Sequence, residues 1–494
     1  MATPIPKNRL ERTSAEIARA ASGTLLRGDA LRSHVGITTD SREATPGSMF
    51  VALRGERFDG HDFVSNAART GATLLLAERG RVAARALPAV DVVEVEDTLA
   101  AWGALARDHL VRWRRRTNGR VAAITGSAGK TTTKSLLTAL VEVAGADVGA
   151  TYATAGNLNN RIGLPATVFA LEASHRFVVL EMGTNLPGEI AALAAIAVPD
   201  VAILTNVGLA HAERLGGTRA GVGHEKGALF EALPEAGCAV VNADDDEVER
   251  QVSRSRARHI VRFGRAPHAH YRLLERTSPT AEGSRLVLRS PGGEIAVDFP
   301  LPGEAAALDF LAALAAAEYV VGRALAQGEL VRALGHVSPG AGRAQVHRLA
   351  SGATLIDDSY NANPASMAAA IELAAELARP EARRTVAILG EMRELGSAST
   401  EAHIALGDQL GRAGVRMAIG CGGAIDAALE RAAGAGVQVL HAASTDEAAE
   451  LALAHIRPGD VILVKGSRGV RTERIALALL AADGAGTLGG AAST

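Results

Sequence analysis

Residues 126–132, Gly-Ser-Ala-Gly-Lys-Thr-Thr, have the composition of a phosphate-binding loop. They follow a short apolar run at 121–125 and precede a stretch rich in helix-forming residues. A glycine turn between a strand and a helix directs backbone N–H groups at a phosphate, while a lysine reaches the outer phosphates and a threonine hydroxyl can bind Mg²⁺. The spacing is shorter than the common G-x-x-x-x-G-K-[ST], because the first glycine of that pattern would fall on Ile124. The loop therefore predicts nucleotide binding of an unusual type.

Three further residues have the chemistry of a metal and phosphate site. Glu181 ends the apolar run FVVLE, where a charge is costly without a cation beside it. His211 follows the next apolar run, and Lys226 falls in a helical stretch, GHEKGALF. Divalent metals that neutralise a nucleotide triphosphate take oxygen ligands, so the carboxylate is the strongest of the three candidates. Taken singly, His211 is more typical of an ordinary loop histidine, and Lys226 of a solvated helix lysine.

Composition indicates a multidomain cytoplasmic enzyme. The chain has 494 residues, more than one hydrophobic core usually holds, and a net charge of −2 that gives no general case for nucleic acid or a membrane surface. The two cysteines, Cys238 and Cys421, are far apart and predict no disulfide framework. The polar N-terminus is not a signal peptide, and no apolar run is long enough to cross a bilayer.

The positions of apolar and helical stretches predict three α/β domains, at residues 1–117, 118–330 and 331–494, with a disordered tail at 484–494. In the middle part, apolar strands recur at 121–125, 177–183, 201–207 and 238–244 with helical stretches between them. After residue 330 the pattern starts again, with five strands and helical runs at 366–379, 400–413, 423–433, 444–455 and 470–482. Both patterns are typical of parallel sheets with crossover helices, and the last is Rossmann-like without a G-x-G-x-x-G motif.

Polar residues follow many of these strands. In open parallel sheets, ligands bind at the carboxyl ends of the strands, so such residues are expected on one edge. The residues at or just past predicted strand ends are Thr125, Glu181, Asn206, Asp244, Asp358, Glu391 and Lys465.

The order of several short motifs resembles the ATP domain of the Mur ligase superfamily. The motifs are ITGSAGKTTT, GNLNNRIGLP, EMG, TNVGLAHAERLG, EKGALF and VNADDD. The N-terminal and C-terminal parts match as well, so the resemblance covers nearly the whole chain. It implies a small α/β domain that binds a UDP-linked precursor, a central ATPase-like parallel sheet with a phosphate loop, and a C-terminal Rossmann-like ligase domain.

Three stretches are similar to the branch of the superfamily that adds a dipeptide: residues 39–63, IDDSYNANPASM at 356–367, and the pair 390–403 and 462–474. The branch implies ATP-dependent, ADP-forming addition of D-alanyl-D-alanine to UDP-N-acetylmuramoyl-tripeptide through an acyl phosphate, in peptidoglycan precursor synthesis and hence in cell shape and division. ATP and Mg²⁺ are the implied cofactors. The implied partners are these small molecules alone, with no nucleic acid and no membrane span, and the chain is expected to be a monomer.

The resemblance also implies roles for individual residues. Lys130, Glu181, His211 and Lys226 would be catalytic. The metal ligands would be Thr131, Glu181, His211 and Lys226, the last as a carbamate. ATP would be bound by Gly126, Ser127, Ala128, Gly129, Lys130, Thr131, Thr132, Asn159 or Asn160, Arg343 and Asp358. Ser41 and Arg42 would contact the UDP group, and Asn361, Asn363 and residues 391–396 would position the peptide substrates.

The sequence departs from the superfamily at one corner. The family commonly has G-x-H-N-x-x-N at the end of the central domain, near the nucleotide, whereas Ala305, Ala306 and Asp309 occupy those places here. The departure puts recognition of adenine at that corner in doubt and leaves the phosphate and metal residues untouched.

Two other functions remain open. One is another amino-acid ligase of the same superfamily, such as the enzyme that adds the third residue or a folylpolyglutamate synthase. The other is a catalytically silent nucleotide-binding scaffold, which would be expected to have lost Lys130, Glu181, His211 or Lys226. The sequence does not decide between lysine and a diamino acid as the third residue of the tripeptide.

Overall fold

A computed structural model describes residues 3–55, 58–83, 87 and 89–488. Contacts divide these residues into two compact units, the first within 1–123, 145–183 and 188–200 and the second within 124–144, 184–187 and 201–494. The strands are β1 (Glu11–Thr13), β2 (Thr24–Arg27), β3 (Ser33–Val35), β4 (Ile37–Thr38), β5 (Met49–Val51), β6 (Leu74–Glu78), β7 (Asp91–Val95), β8 (Arg120–Thr125), β9 (Ala150–Ala153), β10 (His175–Glu181), β11 (Val201–Leu204), β12 (Cys238–Asn242), β13 (His259–Gly264), β14 (Tyr271–Thr280), β15 (Gly283–Ser290), β16 (Gly293–Phe299), β17 (Gln345–Arg348), β18 (Thr354–Asp358), β19 (Thr385–Gly390), β20 (Met417–Cys421), β21 (Gln438–Ala442) and β22 (Val461–Lys465).

The helices account for most of the remaining described chain. They are α1 (Ser14–Ala20), α2 (Val64–Thr70), α3 (Thr98–Thr117), α4 (Lys130–Ala144), α5 (Gly163–Phe169), α6 (Glu189–Ala197), α7 (Arg219–Glu231), α8 (Asp246–Gln251), α9 (Glu304–Val321), α10 (Gln327–Leu334), α11 (Pro364–Ala378), α12 (Ser399–Arg412), α13 (Asp426–Gly434), α14 (Thr445–His455) and α15 (Glu473–Gly484). None of the helices in the described ranges is long and apolar enough to cross a membrane.

The first unit contains a mixed five-stranded sheet in the order β2-β7-β6-β5-β4. β2 pairs with β7 antiparallel, and the other neighbours are parallel. Alternate residues of these strands, such as Phe50, Leu75 and Val92, pack into one core with residues of α2. This arrangement confirms the predicted α/β class for the N-terminal part.

The second unit begins with α4 and contains a sheet segment ordered β11-β12-β13-β14-β15-β16. β11 to β14 are parallel, as predicted for the central domain, but β14, β15 and β16 form an antiparallel meander. The meander is absent from the sequence-based prediction. Its strands alternate buried and exposed residues because one face is open to solvent, so they lack the continuous apolar runs of β11 and β12.

The C-terminal sheet has the order β17-β18-β22-β19-β20-β21, and all its pairings are parallel except β17 with β18. Successive strand residues point to opposite faces and enter two cores. Ile356, Leu389 and Leu463 pack with α11, α12 and α13, whereas Leu355, Ile388 and Ile462 pack with α14 and α15. The structure confirms the Rossmann-like character predicted for this part, with helices on both sides of a parallel sheet.

The helical runs predicted after residue 330 correspond to α11, α12, α13, α14 and α15, with shifts of up to three residues at their ends. The predicted disordered tail starts inside the last turn of α15, and its residues 489–494 lie outside the described ranges. The exact domain boundaries proposed from the sequence stay predictions.

Helix α9 is the main support behind the phosphate loop. Its alanines at positions 307, 312, 313, 315, 316 and 317 are almost completely buried, and it packs against α4 and the strands β11 to β14. Small side chains allow helix backbones to approach closely, so α4, which starts at the phosphate loop, is held on a rigid base.

Candidate active site

The two glycines of the phosphate loop are required by close contacts. A Cβ atom at Gly126 would lie 1.9 Å from the hydroxyl oxygen of Thr205. At Gly129, φ is +82° and a Cβ atom would lie 2.2 Å from a carboxylate oxygen of Asp309. Neither site admits a larger residue, so the G-x-x-G spacing follows from the packing of the loop against β11 and α9.

The residues after β11 hold the middle of the loop. Asn206 accepts a hydrogen bond from the Ser127 amide through its carbonyl (3.0 Å) and one from the Ala128 amide through its side chain (2.9 Å). The hydroxyl of Thr205 donates to the Ala128 carbonyl at 2.6 Å. Because two of the loop amides are already bonded in this way, a phosphate would face the amides at the start of α4.

Lys130 is the first residue of α4, and its ammonium group donates to the Gly126 carbonyl at 2.7 Å. Lys226, on α7, is only 1% exposed. Burial lowers the pKa of Lys226 well below its usual range, and the positive charge of Lys130 lowers it further against the raising effect of Glu225. Burial therefore favours the uncharged amine of Lys226, which is the form that reacts with CO₂.

Glu181 belongs to the first unit and is 2% exposed at the end of β10. The side-chain amide of Asn159 donates to its carboxylate at 2.9 Å. Asn160 instead accepts from the amides of Ile162 and Gly163 at the start of α5. Of the two asparagines left open by the sequence, Asn159 is the one beside the carboxylate and Asn160 has a local structural role.

His211 contacts the C-terminal part of the second unit. Its Nδ1 is hydrogen-bonded to the carboxylate of Glu394, and both residues have left-handed backbone conformations, with φ of 58° and 64°. The interaction leaves Nε2 as the ring nitrogen that can face a metal ion. It also lowers the pKa of Glu394. Glu394 was expected only as part of a peptide-positioning segment, and its bond to His211 is a contact between distant segments that no local pattern reveals.

The DDSYNANP segment reaches the phosphate loop directly. Asn363 caps the N-terminus of α11 through Ser366 and donates from its side-chain amide to the carbonyl of Ser127 at 3.1 Å. Asn361 bonds instead to the 465–468 segment, where its side-chain oxygen accepts from the Arg468 amide at 3.3 Å. Both asparagines were expected to bind peptide substrate, and in the structure Asn363 supports the nucleotide loop.

Asp358 forms a largely buried ion pair with Lys465, with Nζ to Oδ2 at 2.6 Å. Its other carboxylate oxygen accepts from the Ala344 amide at 3.1 Å. Lys465 also donates to the Asn361 carbonyl at 2.9 Å. The ends of β18 and β22 are therefore tied together, and the predicted contact of Asp358 with ATP would compete with this pair.

A recess opens beside the first turn of α4. Its mainly apolar wall is completed by hydroxyl groups of α4 and by one guanidinium group. The lining residues are Thr131, Thr132, Ser135, Leu301, Pro302, Ala306, Val337, Ser338, Pro339, Gly340, Arg343 and Ala344. The recess combines the predicted Thr131, Thr132 and Arg343.

Ala306 and Asp309, which replace residues of the superfamily motif, lie in different surroundings. Ala306 lines the recess, where it presents only a methyl group. Asp309 is 8% exposed and lies against Gly129. Burial raises the pKa of Asp309 well above its usual range, although the Thr133 hydroxyl and Lys130 oppose this shift. The carboxyl group is therefore part of the support of the phosphate loop.

Ser41 and Arg42 lie in the loop after β4. Ser41 is buried, and its hydroxyl accepts a hydrogen bond from Asn66 at 3.1 Å. Arg42 is exposed and paired with Asp40, whose pKa it lowers. An exposed guanidinium next to a serine is compatible with a diphosphate ligand, and the predicted role of both residues stays a prediction.

Comparisons with known proteins identify the class of this chain. The model of the Mur ligase family catalytic domain matches residues 34–109, the Mur ligase middle domain matches 124–317, and the Mur ligase glutamate ligase domain matches 342–468. The chain belongs to the Mur ligase family.

Within that family, the chain is similar to the UDP-N-acetylmuramoyl-tripeptide–D-alanyl-D-alanine ligase of Escherichia coli, with 36% identity over 90% of this chain and 93% of that protein. It is 33% identical to the enzyme of the same name from Mycobacterium bovis, over 97% and 99% of the two chains. The structure of MurF from Acinetobacter baumannii superposes with a TM-score of 0.84 at 28% identity, covering 96% of this chain and all of that one. These findings confirm the resemblance to the dipeptide-adding branch.

A solved structure of the MurF ligase from Thermotoga maritima is a complex with ADP. It has a TM-score of 0.77 and 29% identity to this chain, covering 90% of this chain and 96% of the other. A neighbour of this similarity with a bound nucleotide agrees with the presence of a phosphate loop in the present chain.

Proposed function

We propose that this protein joins D-alanyl-D-alanine to the terminal carboxylate of UDP-N-acetylmuramoyl-tripeptide and converts ATP to ADP and phosphate. The observation that carries the proposal is the hydrogen bond from Asn363 to Ser127, because it joins the segment typical of the dipeptide-adding branch to the phosphate loop. Similarity to named ligases over at least 90% of the chain supports the same conclusion.

The nucleotide is proposed to lie with its phosphates at the start of α4, at the recess that Thr131, Thr132 and Arg343 line. The positive end of the α4 dipole favours the phosphate charge. On release from the Gly126 carbonyl, the ammonium of Lys130 would reach the outer phosphates.

Mg²⁺ is proposed to be held by Thr131, Glu181, His211 and the carbamate form of Lys226. The residues suit the ion, since they offer a hydroxyl, a buried carboxylate, a ring nitrogen and an amine whose pKa burial lowers. Among the described residues, no cluster of three or more His, Cys, Asp or Glu side chains forms a metal site. When bound, Mg²⁺ supplies positive charge against the charge that develops on the phosphates.

In the proposed reaction, a carboxylate oxygen of the tripeptide attacks the γ-phosphorus, the bond to the β–γ bridging oxygen breaks, and ADP leaves. Lys130 stabilises the transferred group electrostatically. The amine of D-alanyl-D-alanine then attacks the acyl carbon, phosphate leaves, and the nitrogen loses a proton. Because water would hydrolyse the acyl phosphate, the site must exclude it during both steps. Since ATP and nucleotide-linked precursors are available there, we infer a cytoplasmic location. The monomeric state stays a prediction.

The experiment is a substrate panel monitored by phosphate release and product mass. D-Alanyl-D-alanine with UDP-N-acetylmuramoyl-tripeptide should give ADP, phosphate and a product heavier by the dipeptide minus water. Single amino acids with UDP-N-acetylmuramoyl-dipeptide test the Mur reaction that adds the third residue. Glutamate with a folate tests the reaction of a folylpolyglutamate synthase. Turnover only with one of these would overturn the proposed substrates, and no turnover with any would favour a silent scaffold. The Lys130→Ala variant is the matched inactive control.

A further inference from the structure

Tyr360 lies where its own segment meets two turns, at residues 340–343 and 465–468. Its backbone amide donates to the Gly342 carbonyl at 3.0 Å, which ties it to the 340–343 turn. This approach is close, because a Cβ atom at Gly342 would lie 3.2 Å from the Tyr360 nitrogen, and φ there is +63°. The third segment is the 465–468 turn, which bonds to Asp358 and Asn361 on either side of Tyr360.

These bonds fix the ring of Tyr360 beside two guanidinium groups. The Cζ atom of Arg343 lies 3.9 Å from the ring centroid and that of Arg468 lies 5.6 Å from it. The first distance is that of a direct cation–π stack, and the second is near the outer limit of such an interaction. Arg468 is also paired with Glu473 at 3.7 Å. The cation–π interaction of Tyr360 is therefore stronger with Arg343 than with Arg468.

The position of Arg343 gives the stack a function. Arg343 lines the recess that Thr131 and Thr132 also line, at the start of α4. A long arginine side chain loses much rotational freedom when it binds an anion, and a ring that already holds its guanidinium reduces that cost. Two positive groups near one ring also favour a ligand of more than one negative charge.

We propose that Tyr360 is a positioning residue for the nucleotide phosphates: its ring holds Arg343 at the recess, with Arg468 as a second, weaker positive group. The proposal rests on the proposed ATP site. It concerns the outer phosphates and not the base or ribose, so its effect depends on how many phosphates the ligand carries. The phenol hydroxyl has no part in it.

The test compares wild type, Tyr360→Phe and Tyr360→Leu by calorimetric titration with AMP and with β,γ-imido-ATP, both in excess Mg²⁺. We expect Tyr360→Phe to bind both ligands as wild type does. Tyr360→Leu should lose affinity for the triphosphate analogue by about two- to twelvefold, the cost of immobilising one arginine side chain, with unchanged affinity for AMP. A purely structural role would change both affinities or the melting temperature alone.

Arg343→Leu completes the cycle. It should show the same selective loss, and the double variant Tyr360→Leu/Arg343→Leu should lose no more than Arg343→Leu alone. Equal losses for AMP and the analogue, additive losses in the double variant, or unchanged binding by Tyr360→Leu would each overturn the proposal.

Product formation by wild type separates this inference from the proposed function. A wild type that makes the amide product while Tyr360→Leu binds the analogue normally overturns the inference alone. If Tyr360→Leu loses affinity for the analogue and not for AMP, but wild type does not make the product, the proposed function alone is overturned. A wild type that binds neither nucleotide overturns both.

Discussion

At the scale of single residues, the site depends on ionisable groups placed where their ordinary charge is disfavoured. Lys226 is buried near the positive Lys130, and Asp309 is buried against the backbone of the phosphate loop. Each group is shifted toward its neutral form mainly by loss of solvent. For Lys226 the neutral amine is a chemical requirement of the proposed carbamate, while for Asp309 it makes a carboxyl group tolerable next to Gly129.

Lys226→Gln should abolish the carbamate and lower kcat about a hundredfold or more, because loss of a metal ligand removes about 3 kcal/mol of transition-state stabilisation. In ¹³C-bicarbonate, wild type should show a carbamate NMR signal that Lys226→Gln lacks. Lys134→Gln, which alters the other buried lysine near the loop, should retain the signal. A wild type without the signal in the presence of Mg²⁺ and ATP would refute the role of Lys226.

Lys130→Ala should lower kcat by about 10²- to 10³-fold, as expected for removal of one preorganised charge from a phosphoryl-transfer site. Steady-state phosphate release measures this loss. The melting temperature should change little, because the ammonium makes a hydrogen bond to a single loop carbonyl in a partly exposed position. Lys7→Ala, at an exposed residue, serves as the control, and near-normal turnover by Lys130→Ala would contradict the assignment.

Asp309→Asn should stabilise the protein increasingly as the pH rises. Burial raises the pKa of Asp309 in the folded state, whereas the unfolded chain releases this proton above about pH 4, so the group reduces stability as the pH increases toward the raised pKa. The side-chain amide that replaces the carboxyl group does not titrate, so this contribution to the pH dependence disappears in the variant. The free energy of unfolding of the variant should therefore gain on that of wild type by at most about 1.4 kcal/mol per pH unit. Melting temperatures from pH 5 to 8 measure the effect.

The control for Asp309→Asn is Asp298→Asn, because the Asp298 side chain is 85% exposed. Its melting temperature should follow that of wild type at every pH. If Asp309→Asn and wild type also change in parallel from pH 5 to 8, the carboxyl group of Asp309 is not protonated in the folded protein.

At the scale of elements, the phosphate loop is positioned by the packing of α4 on α9. The alanine-rich face of α9 leaves no space for larger side chains, and the Gly129 contact with Asp309 is part of the same interface. The position of the phosphate loop therefore depends on the packing of two helices and the strands beneath them. A substitution far from the nucleotide can displace the loop.

Ala316→Leu should destabilise the protein by about 1–3 kcal/mol through overpacking and should weaken nucleotide binding as α4 shifts. Differential scanning calorimetry and titration with β,γ-imido-ATP measure the two effects. Ala305→Leu makes the same change at an exposed position of the same helix and should leave stability nearly unchanged. Equal melting temperatures for the two variants would show that α9 is not tightly packed.

At the same scale, the parallel strands and the helices after residue 330 could be predicted because their apolar runs are continuous and their polar ends are abrupt. Alternating strands such as β15 were missed because half of their residues face solvent. Thr125, Glu181, Asp358 and Lys465 do end their strands, as the rule for parallel sheets predicted. Glu394, Tyr360 and the loop contact of Asp309 could not be predicted, since each depends on distant segments that only the folded chain brings together.

At the scale of the whole molecule, the central and C-terminal parts of the second unit are joined by polar contacts between distant stretches of the chain. Arg276 of β14 pairs with Glu376 of α11, and both side chains are largely buried. Asn363 and Glu394 bond to the phosphate loop and to His211 across the same boundary. The phosphate loop and His211 are therefore both bonded to the C-terminal part of the second unit.

Arg276→Leu should destabilise the protein by about 3–5 kcal/mol, because it leaves the Glu376 carboxylate buried without a partner. Arg276→Leu/Glu376→Leu should recover much of the lost melting temperature, since the unpaired charge is gone. Calorimetric melting of both variants and of Glu376→Leu completes the cycle. Independent, additive losses would show that the ion pair does not couple the two parts.

The lysine distribution has a practical consequence. The chain has five lysines beside 47 arginines, and Lys134, Lys226 and Lys465 are all buried. Among the described lysine side chains, only Lys7 and Lys130 are more than slightly exposed to solvent. Among these lysines, an ordinary amine-acylating reagent would therefore modify chiefly Lys130 and Lys7. Modification of Lys7 would serve as the internal standard. Occupancy of the phosphate loop could be read from the mass of a single tryptic peptide, without a radiolabel or a designed probe.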